Sequence, residues 1–94
     1  MTAYRVAEDV AWVSRDDLDD GDEPMAYAVL LPHGRPVTME GSACLVWLAV
    51  AEGGTLDDIA AAAAEMAGVE ASAIIEDVRS LVESLVGSGL VRAG

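Results

Sequence analysis

The hydrophobic pattern of this 94-residue chain changes period once, at Gly41. Before that glycine, apolar residues alternate or form short runs; after it they recur at three- and four-residue spacing. A strand-forming half followed by a helix-forming half predicts an α+β domain. In the first half, Tyr4, Val6, Val10 and Trp12 share one parity and predict a single strand over residues 4–13. An apolar run over 25–31 predicts a second strand, and Pro32-His33-Gly34-Arg35-Pro36 then turns the chain. Val37, Thr38 and Met39 supply a third, with Pro36 at its start, where a missing N–H does least harm. The second and third strands thereby make a hairpin whose third strand is an edge.

The second half predicts three helices. Ser42 is the expected cap of the first, whose Leu45, Val46, Leu48, Ala49 and Val50 are apolar almost all round; Gly53 and Gly54 stop it. Thr55 opens the second, with Asp58 three residues on as a capping-box partner, and Gly68 ends it. Ser72 is the expected cap of the third, which runs to about Gly87. There Ile74, Val78, Leu81 and Leu85 form a core stripe. Ile75, Val82 and Val86 lie beside it as a second row, interrupted by Arg79, so the stripe is wider than packing on one side requires.

Length allows one domain, residues 1–94, and 53 % apolar residues suffice to give it a core. The chain carries five Arg, no Lys and seventeen acids, a net charge of −12. That balance repels phosphate backbones and anionic membrane surfaces, so neither nucleic acid nor membrane is expected as a partner. Much of the charge sits in an acidic connection, about residues 15–24, which reads as a solvated loop. It fails as a calcium loop: counting from Gly21, Leu18 falls on a ligand position and Tyr27 on the closing one. A single cysteine, Cys44, and the absence of a signal-peptide pattern fit a cytoplasmic protein.

Catalysis needs converging titratable groups, and none converge in the sequence. His33, the one histidine, sits in a Pro-Gly turn, and Cys44 lies on an apolar helix face without a basic neighbour. One Cys and one His cannot build a zinc site, and no glycine-rich phosphate loop is present. Trp12 and Trp47 read as core fillers. Neither enzyme activity, cofactor nor metal is expected. What remains is a strand edge beside a wide apolar stripe, an arrangement suited to pairing with an extended peptide. The competing reading is that the edge is merely short and guarded by prolines.

The ordered set Ala28-Val29-Leu30-Leu31, Pro32-His33-Gly34, Val37-Thr38-Met39, Gly41-Ser42-Ala43, Val46-Trp47 and Gly53-Gly54-Thr55 resembles the PqqD-like family. The tail Glu76-Asp77-Val78, Leu81, Leu85 and Gly89-Leu90 adds to that resemblance, which covers residues 10–91. Tyr4-Arg5-Val6, Val10-Ala11-Trp12-Val13 and the stretch 41–47 resemble in particular the stand-alone recognition proteins of lasso-peptide gene clusters. The resemblance implies a winged helix-turn-helix-like fold, a three-stranded antiparallel sheet followed by three helices. It also implies a role: binding the leader of a ribosomally made precursor, through a Tyr-x-x-Pro-x-Leu-like sequence. A transglutaminase-like leader peptidase then cuts the precursor, and a cyclase closes the ring.

Carried over by resemblance, the strand side of the peptide site is Val37, Thr38 and Met39, with Leu31 nearby. The helix side is Ile75, Val78, Arg79 and Val82. Arg79 would bond leader carbonyls or an acid, or else is a solvated helix charge. A Val82→Asp change is expected to weaken leader binding while the fold survives. Two rival functions share features of the sequence. A DNA-binding winged helix would need cations on the third helix, which has one Arg against Glu76, Asp77 and Glu83. An acyl or peptidyl carrier protein would need a modifiable Ser after an Asp; Ser42 follows Gly41 and Ser72 follows Ala71.

Overall fold

A computed structural model describes residues 2–14 and 25–94; the acidic connection lies outside the described residues. The chain runs β1 (Ala3–Val6), β2 (Val10–Ser14), β3 (Met25–Leu30), β4 (Val37–Glu40), α1 (Ser42–Glu52), β5 (Gly54–Thr55), α2 (Leu56–Ala67), α3 (Ala71–Gly87) and β6 (Val91–Ala93). The architecture is α+β, as the period change at Gly41 predicts: a three-stranded antiparallel sheet, β2-β3-β4, followed by three helices. β2 and β3 pair from Val10↔Leu30 to Ser14↔Ala26, and β3 and β4 from Met25↔Glu40 to Ala28↔Val37. β4 is an edge: among the described residues no further strand lies on its outer side.

The single strand expected over residues 4–13 is two strands in two different sheets. Glu8, exposed, stands where the alternation calls for an apolar residue, and the chain bends there. Ala7, buried instead, donates its N–H to Leu90 O (3.0 Å) and accepts from Val10 N–H (3.2 Å). β1 then joins a small second sheet, β5-β1-β6, pairing Tyr4 with Gly54 on one side and Ala93 on the other. Strands of two or three residues carry no periodicity of their own, so β5 and β6 are invisible to a pattern search.

The junction between β4 and α1 is a single residue. Gly41 caps α1 with φ 58° and ψ −127°, a conformation open to glycine and strained for other residues. Ser42, the expected cap, is the first helical residue and makes no side-chain capping bond. The capping box on α2 forms as expected: Asp58 N–H donates to Thr55 Oγ1 (3.3 Å), and Thr55 N–H donates to Asp58 Oδ2 (3.0 Å). Gly68 closes α2 in the left-handed conformation. α3 starts at Ala71 with Glu70 as its cap, so Ser72 lies inside the first turn.

The core lies among β3, β4 and the three helices, with Trp47 fully enclosed at its centre. Trp12 packs edge-on to Trp47, with ring centroids 5.8 Å apart and planes at 84°, a favourable aromatic geometry. Among the described residues Trp47 Nε1 has no hydrogen-bond partner. Cys44 is buried beside it and His33 is exposed in its turn. Among the described residues, no group of His, Cys, Asp and Glu could hold a metal ion. No helix among them is long and apolar enough to cross a membrane.

Candidate peptide-binding site

Two features meet where β4 runs into α1. The first is the unpaired edge of β4, where Met39 points into the core, Val37 is half-buried and Thr38 faces out. The second is a cleft of about 150 Å³ bounded by the first turns of α1 (Ser42, Ala43, Leu45, Val46), by Ala63 and Ala67 of α2, and by Ile74, Asp77, Val78 and Leu81 of α3. The alanines of α2 help create this hollow, because small side chains there leave space between the helices. Its walls are mainly aliphatic, with Ser42 and Asp77 as the polar groups. Ser42, two residues after the end of β4, is the first residue of the cleft lining, and no residue of β4 itself lines it.

The structure brings together part of the site expected from sequence. Val78 borders the cleft, but Ile75, Arg79 and Val82 do not. Val82 is 0 % exposed and belongs to the core, with Val78 and Leu85. A carboxylate at Val82 would therefore be buried without a partner, so the expectation that Val82→Asp spares the fold is corrected. Ile75 borders a different hollow, with Asp57, Ala60, Ala71 and Ser72. Arg79 pairs with Glu76 one helical turn back (3.1 Å), its side chain half exposed. Leu31 is half exposed in the turn after β3, where its N–H donates to Asp9 O (2.7 Å), and it does not border the cleft.

Sequence reasoning missed Ile74 and Leu81 as cleft residues, although it placed both in the core stripe. The burial on α3 is centred on Val78, Val82 and Leu85, with Ile74 and Leu81 half-buried on one flank and Ile75 and Val86 on the other. Periodicity gave the width of the apolar stripe and could not tell which flank meets a neighbour and which meets a cleft.

The family model for Coenzyme PQQ synthesis protein D (PqqD) matches residues 27–91, well over half of the chain. The chain belongs to the PqqD family. The match runs from β3 to the start of β6, so it takes in the β4 edge, the cleft and all three helices, while β1 and β2 precede it. No curated protein and no solved structure matches the chain.

Proposed function

We propose that this PqqD-family protein binds the leader of a ribosomally made precursor peptide by strand addition to β4, and that it presents the precursor to a processing enzyme. Family membership supports the coarser part, a non-catalytic partner that binds a precursor peptide. The observation that supports the site is the edge of β4, unpaired among the described residues, followed within two residues by Ser42 of the α1–α2–α3 cleft. An extended guest gains backbone hydrogen bonds along β4 and drops an aliphatic side chain into the cleft, a recurring mode of peptide recognition. Ser42 and Asp77, the polar residues of the cleft lining, would accept from a hydroxyl or amide donor of the guest.

The leader we envisage carries a Tyr-x-x-Pro-x-Leu-like sequence, as in lasso precursors, and its Leu is the natural occupant of the cleft. A transglutaminase-like peptidase would take over the bound precursor in the cytoplasm, with a cyclase acting afterwards. Two or three apolar anchors gain about 1.5–3 kcal/mol each, and strand hydrogen bonds about 1 kcal/mol each. Ordering a disordered leader offsets several of these, leaving dissociation constants from about micromolar to tens of nanomolar. Fluorescence anisotropy with a labelled leader tests the reading directly. Saturable binding that Leu81→Asp weakens supports it, and a leader that fails to bind the wild-type protein overturns it.

DNA binding is the weaker reading. The net charge of −12 opposes it, and Arg79, the cation of α3, is already paired with Glu76.

A further inference from the structure

The β5-β1-β6 sheet sets two like charges side by side. Arg5 on β1 and Arg92 on β6 are register partners, and directly opposed residues share a face with Cβ atoms about 5 Å apart, where like charges repel. Both are exposed, while Tyr4 and Val6 on the opposite parity pack on the core. The two arginines border one hollow of about 460 Å³, with Asp9 beside them and Leu30 and Val86 as apolar wall. Asp9 answers the pair incompletely: its Oδ1 lies 3.8 Å from Arg92 Nη2, too far for a hydrogen bond, and both side chains are about half exposed. Among the described residues Arg5 makes no ion pair. The hollow shares no residue with the α1–α2–α3 cleft.

We infer that this hollow binds a carboxylate: an Asp or Glu side chain in the part of the precursor that follows the leader. Charge and shape select that occupant. Two guanidinium groups against the one carboxylate of Asp9 leave a local excess of one positive charge, and their planar forks match both oxygens of a second carboxylate. A metal cation is repelled by the pair. A nucleic acid brings many phosphates towards a chain of net charge −12. A small inorganic anion lacks the aliphatic stem that Leu30 and Val86 would cover. Direction singles out the segment after the leader. A guest antiparallel to β4 leaves the sheet at the Val37 end, and Leu30 extends β3 two residues past Ala28, the partner of Val37, at that same end. The inference rests on the leader-binding role and extends it. Once β4 holds the leader, the following acid meets the arginines at about millimolar effective concentration, so even a weak contact adds to affinity.

Two sets of measurements test it. In the first, acetyl-Leu-Glu-amide, acetyl-Leu-Gln-amide and inorganic phosphate are each titrated into the isotope-labelled full chain and followed by NMR. The Glu peptide should shift the amides of Arg5 and Arg92 saturably, while the Gln peptide and phosphate should bind at least about fivefold more weakly. Arg5→Gln should weaken the Glu peptide at least about fivefold, whereas Asp9→Asn, which removes a competing carboxylate, should strengthen it about twofold or more. A purely structural pair would not move the two variants in opposite directions. In the second, leader alone and full precursor are compared by anisotropy. Arg5→Gln should leave leader affinity within about twofold and lower precursor affinity at least about threefold, a loss that disappears when the acids after the leader are changed to amides. Equal binding of the Glu peptide and either comparison ligand, or weaker Glu-peptide binding in Asp9→Asn, overturns the carboxylate site. A precursor that loses nothing in Arg5→Gln overturns the choice of occupant. Failure of leader alone to bind the wild type sinks the leader-binding role instead, and the dipeptide titration still decides the hollow.

Discussion

Val78, Val82 and Leu85 on α3 are enclosed, whereas Ile74 and Leu81, a fraction of a turn away on the same helix, remain half open to a cleft. Both rows are aliphatic, and both obey the same helical spacing. What separates them is the opposing element. The enclosed row meets the interior formed with α1 and the sheet, while the open flank meets alanines of α2 and the first turn of α1, which leave a gap. A helix stripe thus acts as core or as binding surface according to what stands across from it. Residue type alone does not decide.

The sharpest way to break this comparison is to place the same charge on each row. Val82→Asp loses its packing and buries an unpaired carboxylate, at a cost above about 4 kcal/mol. Small domains hold only about 5–15 kcal/mol in total, so circular dichroism should show a largely unfolded or strongly heat-sensitive protein. Leu81→Asp, whose carboxylate can reach water at the cleft mouth, should keep the fold and lower leader affinity by at least about tenfold. If Val82→Asp melts like the wild type, the enclosed row is not enclosed. If Leu81→Asp binds leader normally, the open flank is not the site.

Two smaller effects sharpen the contrast. Thr55→Ala removes one half of the capping box on α2, away from both rows. It should cost about 1 kcal/mol in a denaturant titration and leave leader affinity unchanged, separating stability from binding. Arg79→Ala removes a surface pair with Glu76 and should shift stability by less than about 0.5 kcal/mol. Its leader affinity should stay within about twofold of wild type, and a larger loss would return Arg79 to the site.

The sequence was most legible where many residues repeat one signal. The switch of period at Gly41, the β3–β4 hairpin, the edge position of β4 and the Thr55–Asp58 cap all follow from local rules and appear in the structure. What escaped was set by partners distant in sequence. β1 leaves the expected long strand because Gly54 and Ala93 pair with Tyr4, and no window around Tyr4 contains either. The flank of α3 that lines the cleft was hidden for the same reason: the gap across from Ile74 and Leu81 is made by Ala63 and Ala67, on another helix. The Arg5 and Arg92 pair was hidden because two residues near opposite ends of the sequence become neighbours only through the pairing of β1 with β6.

Hydrogen exchange of the backbone amides, read residue by residue with and without the leader peptide, tests the central claim most directly. Outward-facing amides of β4 should exchange more slowly when leader is bound, with methyl shifts at Ile74 and Leu81 and no change across β5-β1-β6. Leader binding that leaves β4 exchange untouched, or that protects the β5-β1-β6 sheet instead, would contradict it.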